Sequence, residues 1–92
     1  IGLNHRTAPV EQRECVAITP HKLPQYLQTI ISSGHWNEVV GLSTCNRTEW
    51  YVVGPTNPQL IQCLRTLLNI SNNVELWSDP EITYVKQNIE AV

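Results

Sequence analysis

Ninety-two residues, 41% of them hydrophobic and 15% charged, make at most one globular domain with a modest core, and leave no room for a disordered chain. Six basic against eight acidic residues give a formal net charge of -2 with the charges scattered, so the chain carries no basic face of the kind that binds nucleic acid unaided. Its apolar stretches are far too short to span a bilayer, and no signal-peptide pattern is read. Three cysteines, Cys15, Cys45 and Cys63, are odd in number and lack metal-ligand spacing, which fits a reducing, cytoplasmic setting better than a disulfide scaffold.

The predicted elements run as follows. Ile1 to Leu3 read as a short strand leading into Asn4-His5-Arg6-Thr7-Ala8-Pro9. Pro9 suits the first position of a short helix through Val10 to Val16, where its missing N–H would be unpaired anyway. A longer helix follows, with Thr19 as cap and Leu23, Tyr26, Leu27, Ile30 and Ile31 on one face. Pro24 would fall in its second turn, so the regular part is expected to begin near Leu23, and Gly34 ends it. Val39-Val40-Gly41-Leu42 and Trp50-Tyr51-Val52-Val53 read as two strands of a hairpin. Asn57-Pro58 starts another helix, striped by Leu60, Ile61, Leu64, Leu67 and Leu68, and Ser71-Asn72-Asn73 is a turn. Ile82-Thr83-Tyr84-Val85 is the last strand candidate. Asn88 caps a helix only begun at Ala91-Val92, so the chain reads as a piece of a longer protein.

The order strand, helix, strand, strand, helix, strand predicts an α+β fold: a ferredoxin-like βαββαβ sandwich, with an antiparallel sheet and two helices on one face. In that topology the first and third strands are neighbours, so Asn4, His5 and Arg6 lie beside Arg47 and Thr48. The connection between the hairpin strands, Ser43-Thr44-Cys45-Asn46-Arg47, is thereby brought to the His5-Arg6 corner.

Most free cysteines are small buried hydrophobes. Cys45 departs from that reading through its place on a tight turn, its polar neighbours and the cation two residues on, a setting of the kind that favours a thiolate. Cys15 and Cys63 lie among apolar residues of helices and read as structural. Arg47 is either a solvated loop arginine or a fork able to grip a carboxylate bidentately. Glu49 pairs with it or points outward. His5 is a turn histidine or a proton-transfer group, while His21 and His35 read as surface residues. Thr44 and Asn46 could orient a carbonyl or amine, though such residues populate turns generally.

Two stretches resemble the start of glutamyl-tRNA reductase: Gly2-Leu3-Asn4-His5-Arg6-Thr7-Ala8-Pro9-Val10 with Arg13-Glu14, and Thr44-Cys45-Asn46-Arg47-Thr48-Glu49 with Tyr51. Tyr84 and Ala91-Val92 resemble the next stretch of the family, while Gly54 to Pro80 carries nothing diagnostic. The resemblance implies that residues 1–92 are the N-terminal part of the catalytic domain of a longer, multidomain enzyme. Such an enzyme reduces glutamyl-tRNA(Glu) to glutamate-1-semialdehyde with NADPH, the entry to five-carbon tetrapyrrole synthesis. It implies Cys45 as the nucleophile that forms a thioester, and a glutamyl pocket of Thr44, Asn46 and Arg47, with His5, Arg6 and Glu49 as support. Arg47 is the expected partner of the side-chain carboxylate through a buried pairing. The resemblance also implies a homodimer formed through a helical domain, contact with glutamate-1-semialdehyde aminotransferase, no membrane and no metal.

Two departures stand out. Trp50 replaces an aliphatic residue, and alternation sets it opposite Tyr51, so a change of packing alone is expected. The chain also stops short of the histidine that the family places after the Ala-Val pair. With no Gly-rich dinucleotide fingerprint, this piece is expected not to bind NADPH well or to complete reduction alone. The competing reading is a non-catalytic ferredoxin-like module that binds RNA or protein, which calls for aromatic pairs on one sheet face.

Overall fold

The computed structural model describes residues 1–55 and 57–87; the helix start expected at Asn88 and the Ala91-Val92 pair lie outside the described residues. Strand β1 (Gly2–Asn4) stops where the Asn4 side chain accepts the backbone N–H of Arg6 at 2.9 Å and of Thr7 at 3.2 Å, a local turn that competes with the ladder. Helix α1 (Val10–Cys15) follows. Pro9 is its N-cap and not its first helical residue, because its ψ of 164° is extended.

Helix α2 (Leu23–Ser32) begins where Pro24 falls within the first turn, and it closes before Gly34, whose φ of 78° is left-handed. Strands β2 (Glu38–Ser43) and β3 (Arg47–Val53) form the expected hairpin. Asn57 caps helix α3 (Pro58–Asn72) by accepting the Leu60 N–H at 2.9 Å, and Asn73, with φ 54°, ends it. A short 3-10 helix, Leu76–Ser78, then buries Trp77.

The chain is α+β, with an antiparallel sheet in the order β1-β3-β2. Gly2 pairs with Glu49, Asn4 with Arg47 and Ser43 with Thr48. The fourth strand expected over Ile82–Val85 contracts to one antiparallel bridge, Gly2 to Tyr84, on the outer edge of β1 where a ferredoxin-like sheet seats its last strand. Thr83 explains the contraction. Its N–H and hydroxyl both donate to the Asp79 carbonyl, at 3.0 and 2.7 Å, and Arg65 donates to its Oγ1 at 2.7 Å, so a turn holds it away from a ladder.

One core joins the sheet to both helices: Leu3 and Trp50 from the strands, Tyr26 and Ile30 from α2, Leu64 and Leu68 from α3, with Trp36 and Trp77 closing its ends. The Trp50 ring packs tilted on Tyr26, with centroids 4.9 Å apart. It fits because position 41 has no side chain: a Cβ on Gly41 would lie 2.8 Å from the indole. The departure at Trp50 is thus a packing change, matched within the same hairpin. The Tyr26 hydroxyl donates to Asn72, tying α2 to α3. The opposite sheet face has no helix over it among the described residues, and Val40, Leu42 and Val53 are exposed there.

Candidate functional site: a cysteine at a braced hairpin turn

Alternation along β3 decides what the site is made of. Thr48 and Trp50 point into the core, while Arg47, Glu49 and Tyr51 share the open face. Thr48, the one buried polar residue of the hairpin, bonds across to the Ser43 hydroxyl at 3.1 Å, and that hydroxyl also accepts the Ile18 N–H at 3.0 Å. The base of the hairpin is therefore tied both across its strands and to the segment behind α1.

Above that base the turn is short. The Thr44 N–H donates to the Arg47 carbonyl at 2.8 Å, and the Thr44 hydroxyl accepts the Asn46 N–H at 3.2 Å, which leaves Cys45 exposed at the apex with a free thiol. Arg13 reaches over from α1, its Nη1 donating to the Cys45 carbonyl at 3.4 Å. The Arg13 Nε is buried without a partner among the described residues, so its stem is enclosed while its tip meets the turn. Arg13 was visible in the sequence only as part of a motif; no spacing rule connects it with a residue thirty-two positions on.

Arg47 heads β3 with its side chain 47% exposed, so the pairing it offers a carboxylate is not a buried one among the described residues. Its Nη1 stands 3.6 Å from Glu49 Oε1, an ion pair without hydrogen-bond geometry. Glu49 is much better enclosed, at 13% exposed, and its two oxygens take hydroxyl donors from Tyr51 at 3.0 Å and Tyr84 at 2.6 Å. Burial alone would raise its carboxyl, but the Tyr84 and Tyr51 hydrogen bonds and the Arg47 charge outweigh that and hold it below the ordinary glutamate range. Burial and the same carboxylate push the Tyr84 phenol well above its usual value.

The register Asn4 to Arg47 places the end of β1 opposite the start of β3. His5 and Arg6, however, are exposed in the turn beyond Asn4, and neither side chain has a hydrogen-bond or ion-pair partner among the described residues. Cys15 is exposed at the end of α1, not packed among apolar residues as expected, because α1 buries none of its side chains; Cys63 is partly buried and packed against the core. Among the described residues no group of three or more His, Cys, Asp or Glu side chains converges as a metal site would. The described sheet is antiparallel, and the Gly-rich strand-to-helix turn of a doubly wound nucleotide-binding fold is not among the described residues. No described helix is long and apolar enough to cross a membrane.

Fold and turn together define a small α+β domain that presents a cysteine at the exposed apex of a hairpin turn, with an arginine at the head of the following strand and another reaching from a neighbouring helix to the cysteine's carbonyl. Residues 1–92 match the family model described as glutamyl-tRNA(Glu) reductase, N-terminal domain, and the chain belongs to that family. It is 48% identical to the glutamyl-tRNA reductase of Marinobacter nauticus over 94 aligned residues, covering the whole chain and 21% of that relative. With the glutamyl-tRNA reductase of Shouchella clausii it shares 57% identity over 53 residues, 58% of the chain and 12% of the relative. With that of Pseudoalteromonas translucida it shares 53% over 51 residues, 55% of the chain and 12% of the relative. The aligned parts of the chain thus span between 12% and 21% of the length of these relatives, which are named as reductases.

Proposed function

We propose that this domain carries the acyl-accepting nucleophile of a glutamyl-tRNA reductase, acting on glutamyl-tRNA(Glu) at the entry to tetrapyrrole synthesis. The observation that carries the reading is Cys45, exposed at the apex of a turn whose base is tied by Thr48, Ser43 and Ile18 and whose backbone is gripped by Arg13. A nucleophile needs both properties, since accessibility lets the substrate reach it and a rigid base fixes the line of attack.

In this reading the Cys45 sulfur attacks the carbonyl carbon of the aminoacyl ester. A carbon–sulfur bond forms and the ester carbon–oxygen bond breaks. The thiol proton ends on the ribose oxygen of the departing tRNA, leaving a glutamyl thioester. Arg47, at the head of β3, receives the substrate's side-chain carboxylate, while Thr44 and Asn46 border the reacting carbonyl. Hydride transfer from NADPH belongs to parts of the protein beyond these residues.

The RNA-binding reading loses its best feature in the fold. Trp50 is only 1% exposed in the core and the Tyr51 hydroxyl is committed to Glu49, so β3 offers no free aromatic pair for bases. The deciding experiment mixes the full-length protein with glutamyl-tRNA in the absence of NADPH, quenches in acid and maps adducts by mass spectrometry. A glutamyl group on Cys45 is expected. Its absence, with glutamyl-tRNA bound and still acylated, would overturn the thioester route.

A further inference from the structure

Arg47 and Tyr84 do not touch, yet one carboxylate connects them. Glu49 Oε2 accepts from the Tyr84 hydroxyl at 2.6 Å, and Oε1 accepts from Tyr51 at 3.0 Å while facing Arg47 Nη1 at 3.6 Å. Tyr84 itself is anchored at its backbone: its N–H donates to the Gly2 carbonyl at 2.8 Å, and its carbonyl accepts the Gly2 N–H at 3.0 Å. Gly2 makes the crossing feasible. A Cβ there would lie 2.7 Å from Glu49 Cγ and 3.0 Å from the Tyr84 hydroxyl, so only a bare backbone lets the phenol pass over β1 to reach β3.

An arginine that is nearly half exposed at the tip of a hairpin keeps much of its rotamer freedom, and ordering it when substrate arrives would cost affinity. A carboxylate pinned by two hydroxyls is a fixed counter-charge that narrows that freedom beforehand. Of the five N–H donors of a guanidinium, the single approach to Glu49 leaves the remainder for another carboxylate. The depressed carboxyl of Glu49 keeps this counter-charge in place at neutral pH.

We propose that Tyr84 is a positioning residue of the substrate pocket: its hydroxyl fixes Glu49, and Glu49 sets the Arg47 guanidinium for the side-chain carboxylate of the glutamyl group. The proposal rests on the reading of Arg47 given above.

The test uses the full-length enzyme. Tyr84→Phe keeps the ring and its packing and removes only the hydroxyl. It is expected to raise KM for glutamyl-tRNA roughly tenfold, the scale of one hydrogen bond to a charged group, with kcat much less affected. Discrimination against glutaminyl-tRNA should fall by a similar factor. Glu49→Gln, which keeps the shape and loses the charge, should show the same split. In an Arg47→Ala background Tyr84→Phe should add nothing further, because its effect travels through the missing guanidinium.

Three results would count against the proposal. A Tyr84→Phe effect that multiplies with that of Arg47→Ala would overturn the role of Tyr84 and leave Arg47 standing. A loss of kcat with KM and discrimination unmoved would do the same, and would mark the hydroxyl as a sheet tie only. Undiminished discrimination in Arg47→Ala alone would overturn the assignment of Arg47, and the proposal with it.

Discussion

The two faces of β3 were built from one stretch of seven residues and do different work. Inward, Thr48 and Trp50 are almost wholly buried; Thr48 spends its hydroxyl on Ser43, and Trp50 fills the space over Gly41 against Tyr26. Outward, Arg47, Glu49 and Tyr51 form a polar chain extended by Tyr84. One face anchors the strand to the core, and the other holds charged and hydroxyl groups in contact with one another. Side-chain alternation alone separates the two tasks, so a substitution should disturb one and spare the other according to its parity along the strand.

The largest expected effect lies on the inner face. Trp50→Ala should cost ~3–5 kcal/mol, the usual range for emptying a buried tryptophan site, against a total stability of roughly 5–15 kcal/mol. Hydrogen exchange at the β3 amides of the full-length protein reads it directly, and protection retained near the wild-type level would show that this strand does not depend on the indole. Next comes the outer network, through pH. Because Glu49 is depressed in the fold, its contribution is complete above the ordinary glutamate value of 4.5 and is lost as the pH falls through the lower folded value. Glu49→Gln should therefore flatten the acid side of the unfolding midpoint followed from about pH 6 downward. An acid limb identical to wild type would mean that the two phenols do not hold an ionised carboxylate. The smallest effect belongs to the apolar part of the outer face. Val40→Thr, at a residue 60% exposed, should shift β3 exchange by no more than ~0.5 kcal/mol. A larger loss in the full-length protein would show that something covers this face.

Much of this arrangement could be read from residue order. Two β-rich runs separated by Ser-Thr-Cys-Asn-Arg define the hairpin, Asn57-Pro58 defines the start of α3, and the placing of Pro24 sets the start of α2 at Leu23. These features are local, resting on caps, proline geometry and period-two alternation. What escaped is long-range. The bond from Tyr84 to Glu49 spans 35 residues and that from Arg13 to Cys45 spans 32, and no periodicity announces such pairs. Trp77 is another case: it sits fully buried in a stretch without diagnostic residues, its backbone N–H held by the Asn69 side chain at 2.9 Å. The run Ile82–Val85 has strand-like composition, yet Asp79 and Arg65 claim Thr83 first. The turn bearing Cys45 was legible; the sequence also set His5 and Arg6 beside it, but both are exposed and their side chains have no partner among the described residues.

All three tryptophans of the domain, Trp36, Trp50 and Trp77, are at most 5% exposed, and the indole N–H groups of Trp50 and Trp77 are buried without partners among the described residues. Indoles so shielded emit at short wavelength, and none of them belongs to the Arg47–Glu49–Tyr84 network on the far side of the sheet. The domain therefore carries an optical gauge of its interior: its emission will redden when the core opens, while acylation of Cys45 or loss of the Tyr84 hydroxyl should leave the colour of its light unchanged.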